Sequence, residues 1–411
     1  MRLSINQRSA RVGIVQIHEM FRVLELDAGD VAEPKQSHAP SLSRDTFVFP
    51  QTSIRAVEKD LAIVVPCMNE DPDILDGVLR GIPNDCLVIL VSNRNLANFE
   101  VESKMLELIC TTNERKCIHI HQKDPGVAEA FMSAGLSALV EPQDGAHSVR
   151  SGKGEAMMIG TALAKVAHRC FIGFVDADNL VPGAVNEYCK VYAAGLHYAL
   201  YQTGTEDPHA MVRIKWNSKP KVRDGKIVFE KFGRSSRATN YWMNRLLTTL
   251  TTASADIDTD TDIDIDHNLD FASDTGEHAM TLDLALTVPF ASGYAVEPHQ
   301  YVHCFSTLSK GERPVQILQI ETRNPHVHDC GKGDGHIKRM QAGGLSTIYH
   351  SPLAPKELKA EMRGFCKSQL GEVCSVDGEP EECVVYPCLQ DMDWEVFKKV
   401  LEEKVEAVKS L

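Results

Sequence analysis

No stretch of this 411-residue sequence approaches the roughly 18 consecutive apolar residues of a membrane-spanning helix. The opening residues, Met1-Arg-Leu-Ser-Ile-Asn-Gln-Arg-Ser9, lack the apolar core of a signal peptide. Basic charge is in deficit: 43 Lys and Arg stand against 57 Asp and Glu, leaving a net charge of −14. That excludes the basic face of a nucleic-acid binder, although a local basic pocket for a phosphorylated substrate remains compatible with it. None of the 12 cysteines falls in a Cys-x-x-Cys pair, so reduced thiols in a cytoplasmic protein are expected. The GxxxxGK[ST] spacing is missing, which disfavours an ATPase of the P-loop type.

What is present describes a soluble globular protein, 43% hydrophobic and 24% charged, long enough for two to three domains. Residues 1–55 read as an entry segment of two short strands, at 12–17 and 21–26, and a loop from 27 to 47. Strands at 61–66 (broken at Pro66), 86–93, 117–121 and 171–175 then alternate with helices at 73–80, 101–110, 127–139 and 154–166. This alternation predicts βαβ units and a parallel α/β sheet, with polar residues at each strand's C-terminal end. The expected organisation is an α/β half at 56–190 with a nucleotide-type site, a second half at 191–350 and a helical tail at 351–411. In the second half, Asp224-Gly225 predicts a hairpin turn between flanking strands at 211–216 and 226–232. Helices are expected at 241–249, 276–286, 334–349, 355–370 and 393–411, and strands at 293–298 and 315–320.

The chain is organised around Phe171-Ile-Gly-Phe-Val-Asp-Ala-Asp-Asn179, an apolar run that ends in Asp176 and Asp178. In an extended segment these carboxylates share a face, where they either hold a divalent cation or close the strand as a solvated turn. Arg150-Ser-Gly-Lys-Gly-Glu155, at a predicted helix start, offers backbone N–H groups and Lys153 to an anion. Gly233-Arg-Ser-Ser-Arg-Ala-Thr-Asn240 offers the same at a second helix start, or is an N-cap with surface arginines. His326 and His328 follow an apolar strand and are either metal ligands or structural residues. Six aspartates alternate through 256–266 without the glycine and glutamate of an EF-hand, and a solvated acidic insertion spanning 252–270 is expected.

In order along the chain, several motifs together resemble the mannosyl-3-phosphoglycerate synthase family. They are Val64-Val-Pro-Cys-Met-Asn-Glu70, Val91-Ser-Asn93, His121-Gln-Lys-Asp-Pro-Gly126, Arg150-Ser-Gly-Lys-Gly-Glu155 and Gly173-Phe-Val-Asp-Ala-Asp-Asn179. Pro182-Gly-Ala-Val-Asn-Glu-Tyr188, Gly233-Arg-Ser235, Gly276-Glu-His-Ala-Met-Thr281 and Glu321-Thr-Arg-Asn-Pro-His-Val-His328 complete the set. The resemblance implies a retaining glycosyltransferase with a GT-A type, Rossmann-like sheet, a C-terminal α/β acceptor region and a helical tail. It implies mannose transfer from GDP-mannose to 3-phosphoglycerate with a divalent metal, Mg2+ or Mn2+, and no nucleic-acid or membrane partner; a homodimer is compatible with it.

Carried over by position, Pro66, Asn69, Glu70 and Ser92 cradle the guanosine, and Lys153, Asp176 and Ala177 face the donor. Asp178 and one of His326 and His328 ligate the metal, while Asp176, Asp178 and Lys153 form the catalytic group. Gly233, Arg234 and Ser235 meet the acceptor phosphate, with Glu277 and His278 also on the acceptor side. The acidic insertion departs from the family pattern, which has an apolar segment before the Gly-Glu-His turn. Three rival readings are a glucosyl-3-phosphoglycerate synthase, a phosphohydrolase using Asp176, and a metal-binding module built on His326, His328, Cys330 and the aspartate run. The phosphohydrolase reading lacks its DxDx[TV] continuation, because Leu180 follows Asn179.

Overall fold

The structure is a computed structural model describing residues 1–5, 9–18, 20–26, 46–143, 145–223, 226–230, 233–255, 276–328 and 333–406. The acidic run 256–266, Cys330 and most of the predicted loop at 27–47 lie outside the described residues.

The strands are Arg2–Ser4 (β1), Ser9–Val12 (β2), Val15–His18 (β3), Phe21–Glu25 (β4), Thr46–Val48 (β5), Leu61–Cys67 (β6), Leu87–Ser92 (β7) and Cys117–His121 (β8). They continue with Val140–Gln143 (β9), Ala146–Val149 (β10), Phe171–Phe174 (β11), His209–Lys215 (β12), Lys219–Arg223 (β13), Lys226–Glu230 (β14), His278–Thr281 (β15) and Val315–Glu321 (β16). The α-helices are Gln51–Lys59 (α1), Pro72–Gly81 (α2), Leu96–Asn113 (α3), Pro125–Ser133 (α4), Lys153–Val166 (α5) and Pro182–Tyr201 (α6). Arg234–Ala255 (α7), Leu282–Thr287 (α8), Val296–Ser306 (α9), Asp334–Tyr349 (α10), Lys356–Phe365 (α11) and Trp394–Lys404 (α12) follow.

Among the described residues, twelve strands form one sheet whose main path runs β5-β1-β4-β16-β12-β15-β11-β6-β7-β8. The βαβ expectation holds for β6, β7, β8 and β11, which are parallel to one another. Their connections begin where the sequence punctuates them. Asp71, Asn95 and Asp124 each accept a hydrogen bond from a backbone N–H in the first turn of the helix that follows. Pro72 and Pro125 occupy first helical positions, where a missing N–H costs nothing.

Side chains alternate between the two faces of β6. Ala62 and Val64 join the core around α4, α5 and α9, and Leu61, Ile63 and Val65 join the core around α1, α2 and α6. A strand covered on both faces has no polar positions, which is why it reads as a continuous apolar run.

Several expectations are corrected. Pro66 does not break its strand: β6 runs on to Cys67, with Pro66 paired to Val91. Pro66 points its imide nitrogen to the same side as Val64, toward β11, whose ladder with β6 ends at Phe174 and Val64. The sheet is mixed rather than all parallel, because β15 runs antiparallel between β11 and β12. Residues 276–286 are therefore not one helix but β15 followed by α8. The expected strand at 293–298 is a 3-10 turn, Gly293–Ala295, running into α9. A hairpin does form, but β14 pairs with β13, not with the strand at 211–216.

Candidate active site

The C-terminal ends of β6, β7 and β11 and the N-terminus of α5 converge. Cys67 pairs with Ser92 at the ends of β6 and β7, which brings Pro66, Asn69, Glu70 and Ser92 to one edge. Glu70 shapes the turn there, its Oε2 accepting the Met68 and Asn69 N–H groups at 2.6 and 3.0 Å. Ser92 is buried, and its hydroxyl accepts from the Arg94 N–H at 3.4 Å. Behind it, Glu102 is buried with Arg94 Nη1 at 3.2 Å and His119 Nε2 at 3.3 Å. Gln122 donates to the carbonyls of Arg150 and Gly152 at 2.8 and 3.1 Å, tying the end of β8 to the Arg150–Glu155 motif.

α5 starts at Lys153, with no side-chain cap on Gly152. Glu155 is buried and accepts from Tyr386 Oη at 2.7 Å and the Gly293 N–H at 3.1 Å, fixing this turn against the C-terminal region. Lys153 Nζ reaches Asp176 Oδ1 at 2.5 Å and Glu297 Oε1 at 2.7 Å. Burial pulls the Lys153 ammonium down, but Asp176 and Glu297 outweigh it and hold the group well above its ordinary pKa. Gly276 packs on this pair: a Cβ there would lie 2.5 Å from Asp176 Oδ2 and 2.7 Å from Lys153 Nζ. Only glycine allows that approach.

Asp176, Ala177 and Asp178 lie beyond the end of β11 rather than in extended strand, with Ala177 and Asp178 in a turn. The two carboxylates consequently part company. Asp176 faces Lys153, while Asp178 Oδ2 lies 3.7 Å from His328 Nδ1. Ala177 is buried in the α6-side core. A bridge between Asn179 and His328, with the Leu180 N–H donating to the Val327 carbonyl at 2.8 Å, brings the 326–328 segment alongside.

The His326 ring centre lies 5.4 Å from that of His328, but the two rings have different polar partners. His326 Nδ1 lies 3.0 Å from Tyr188 Oη and 3.7 Å from Glu277 Oε1, and the ring stacks on Trp216 at 4.0 Å with 12° between planes. Glu277 is fully buried, and burial followed by the Asp176 charge pushes its carboxyl up to about 8, against the pull of Lys153 and Lys219. His278 is also fully buried, with Nε2 3.0 Å from Gln300 Oε1. Burial and the Arg213 charge bring its imidazole down to about 3, so it is neutral at physiological pH.

Gly233, Arg234 and Ser235 stand at the start of α7. Beside them is Lys219, a buried residue whose ammonium lies 3.9 Å from the centre of the Trp216 ring. Lys219, Trp216 and Glu297 carry no sequence signal, and Tyr188 carries none beyond its place in the Pro182–Tyr188 motif. They come from a hairpin strand, the position just after β12, the interior of α6 and the first turn of α9, and only the fold assembles them.

The family model for mannosyl-3-phosphoglycerate synthase matches residues 5–401. A mannosyl-3-phosphoglycerate synthase of Pyrococcus furiosus is 34% identical over 410 residues, covering 96% of both chains. One of Aeropyrum pernix is 32% identical over 380 residues, covering 90% of both. The chain belongs to the mannosyl-3-phosphoglycerate synthase family. It is thus a glycosyltransferase, and its α/β sheet is the nucleotide-sugar transferase sheet of that family. Among solved structures, a glucosyl-3-phosphoglycerate synthase of Mycobacterium tuberculosis in complex with Mn2+, UDP and phosphoglyceric acid aligns with TM-score 0.42 at 16% identity. That alignment covers 72% of this chain and 82% of the other. Among the described residues, no helix is long and apolar enough to cross a membrane, and no cluster of three or more His, Cys, Asp or Glu side chains is preassembled for a metal.

Proposed function

We propose that the protein transfers mannose from GDP-mannose to the hydroxyl of 3-phosphoglycerate, with retention at the anomeric carbon and with a divalent cation, Mg2+ or Mn2+. The observation that carries this reading is the separation of Asp176 and Asp178 onto different partners at the mouth of α5, in a chain of this family. Asp178 and His328 fit one cation: donors bonded to it at about 2.1 Å stand about 3–4 Å apart, and theirs are 3.7 Å apart. A shell with few protein donors suits an ion that a diphosphate completes. His328 rather than His326 is therefore assigned to the cation, since His326 is engaged with Tyr188 and Trp216.

The cation, when bound, neutralises charge that builds on the departing diphosphate as the sugar–phosphate bond breaks. Lys153 serves the same charge from the protein side. Asp176 and Glu297 keep it protonated and oriented, so the positive charge is in place before the reaction. Pro66, Asn69, Glu70 and Ser92 form the guanosine edge, with Ala177 beside the donor. Gly233, Arg234 and Ser235 hold the acceptor's phosphate at the start of α7, where helix N–H groups favour an anion. Glu277 and His278 brace the acceptor side from beneath. Positioning the acceptor hydroxyl beside the anomeric carbon converts an encounter into an intramolecular step.

GDP release from GDP-mannose, measured with and without 3-phosphoglycerate and with and without Mg2+, tests the reading. Release that needs both is expected. Turnover indifferent to 3-phosphoglycerate, or a preference for a glucose donor in a panel of nucleotide sugars, would overturn it.

A further inference from the structure

The function proposed above leaves a buried cation without a role. Lys219 begins the β13–β14 hairpin, far in sequence from the Gly-Arg-Ser motif, yet a Cβ built on Gly233 would lie 3.3 Å from its Nζ. Its ammonium is therefore at the first turn of α7, where the acceptor phosphate is placed. It also touches the Trp216 ring at 3.9 Å. The imidazole of His326 covers that ring at 4.0 Å and nearly parallel, so the two groups cannot share a face. Trp216 is thus clasped between Lys219 on one side and His326 on the other. Its indole N–H is buried and has no hydrogen-bond acceptor in the structure, although it is a donor that normally finds one when buried. A buried cation beside a helix N-terminus, with a buried donor on the ring it touches, makes a set suited to an oxyanion.

We infer that Lys219 holds the phosphate of the three-carbon acceptor, and that Trp216 positions it there. This rests on the proposed function and deepens it. The ammonium pairs with the phosphate oxygens as a point charge on a stem that the indole face keeps in one place. The cation–π contact and the His326 stack make the acceptor site continuous with the 326–328 segment that carries His328. An acceptor lacking the phosphate does not engage Lys219.

Steady-state kinetics of Lys219→Met, Lys219→Arg and the unmodified protein test this. Lys219→Met is expected to raise KM for 3-phosphoglycerate at least tenfold while KM for GDP-mannose stays within about twofold. Lys219→Arg should recover most of the loss, because it retains the charge. Equal rises in both KM values, or no rise in either, would overturn the inference while leaving the proposed function standing. An unmodified protein without 3-phosphoglycerate-dependent turnover would sink both.

A second measurement does not depend on the folding of a Lys219 variant. Titrating 3-phosphoglycerate into the unmodified protein should give a saturable change in tryptophan fluorescence, absent with D-glycerate at the same concentrations and absent in Trp216→Phe. An identical response to D-glycerate, or one retained in Trp216→Phe, counts against Lys219 and Trp216 as the phosphate site.

Discussion

Lys153 Nζ lies 2.5 Å from Asp176 Oδ1, and this contact joins the first turn of α5 to the end of β11. The first aspartate of the Asp-Ala-Asp motif thereby orients a cation of the protein, and the second stands beside His328. Two carboxylates two residues apart face different partners because the chain turns between them.

Removing the ammonium tests this relationship. Lys153→Met should lower turnover by orders of magnitude, because the charge it places near the departing diphosphate is lost. Stability should fall by about 3–5 kcal/mol, since Asp176 and the buried Glu297 keep their charges without a counter-ion. Turnover and urea unfolding, measured together, check both. Activity within threefold of the unmodified protein would contradict the assignment.

The proposed cation ligands are separable by substitution. Asp178→Asn and His328→Ala should each move the Mg2+ midpoint for activity upward at least tenfold. His326→Ala should instead lower thermal stability, through the lost Trp216 stack, with a smaller change in that midpoint. A larger shift in His326→Ala than in His328→Ala would reverse the choice between the two histidines.

Gly276→Ala should perturb the ion pair without removing a charge. A methyl there would lie 2.5 Å from Asp176 Oδ2, so the carboxylate or the Lys153 ammonium must move. A tenfold or greater drop in kcat with an unchanged KM for 3-phosphoglycerate is expected. A fully active variant would mean that the exact placement of the pair does not matter.

Glu277 gives a pH signature. Its carboxyl, raised from an ordinary 4.5 to about 8, keeps its proton in the folded protein over a range where the unfolded chain has lost it. The stability this lends is complete below about pH 4.5 and is lost as pH rises toward 8. Glu277→Gln, which stays neutral, should flatten the decline in stability between those values. Unfolding curves for both proteins across that window decide it, and parallel declines would refute the role.

Arg234 is in the proposed acceptor site, and Arg234→Ala should raise KM for 3-phosphoglycerate far more than KM for GDP-mannose. Comparable damage to both would mark it as a structural residue.

The sequence alone determined the strands β6, β7, β8 and β11 and the helices that follow β6, β7 and β8. Unbroken apolar runs and Asp-Pro or Asn caps are local signals that the final sheet does not need to supply. It also determined where α5 starts, because glycines and a lysine before an apolar helix are a local signal within six residues. Tertiary structure decided the rest. His278–Thr281 is a strand only because β11 and β12 flank it; four residues are too few to distinguish a strand from a helix by periodicity. Pro66 stays in β6 because its missing N–H faces past the end of the β11 ladder. Glu297 meets Lys153, and Lys219 meets Trp216, across 144 and 3 positions of chain, at contacts that depend on where helices and a hairpin are packed. Such partners leave no pattern in the sequence, since side-chain periodicity records which face a residue occupies and not which residue it will face there.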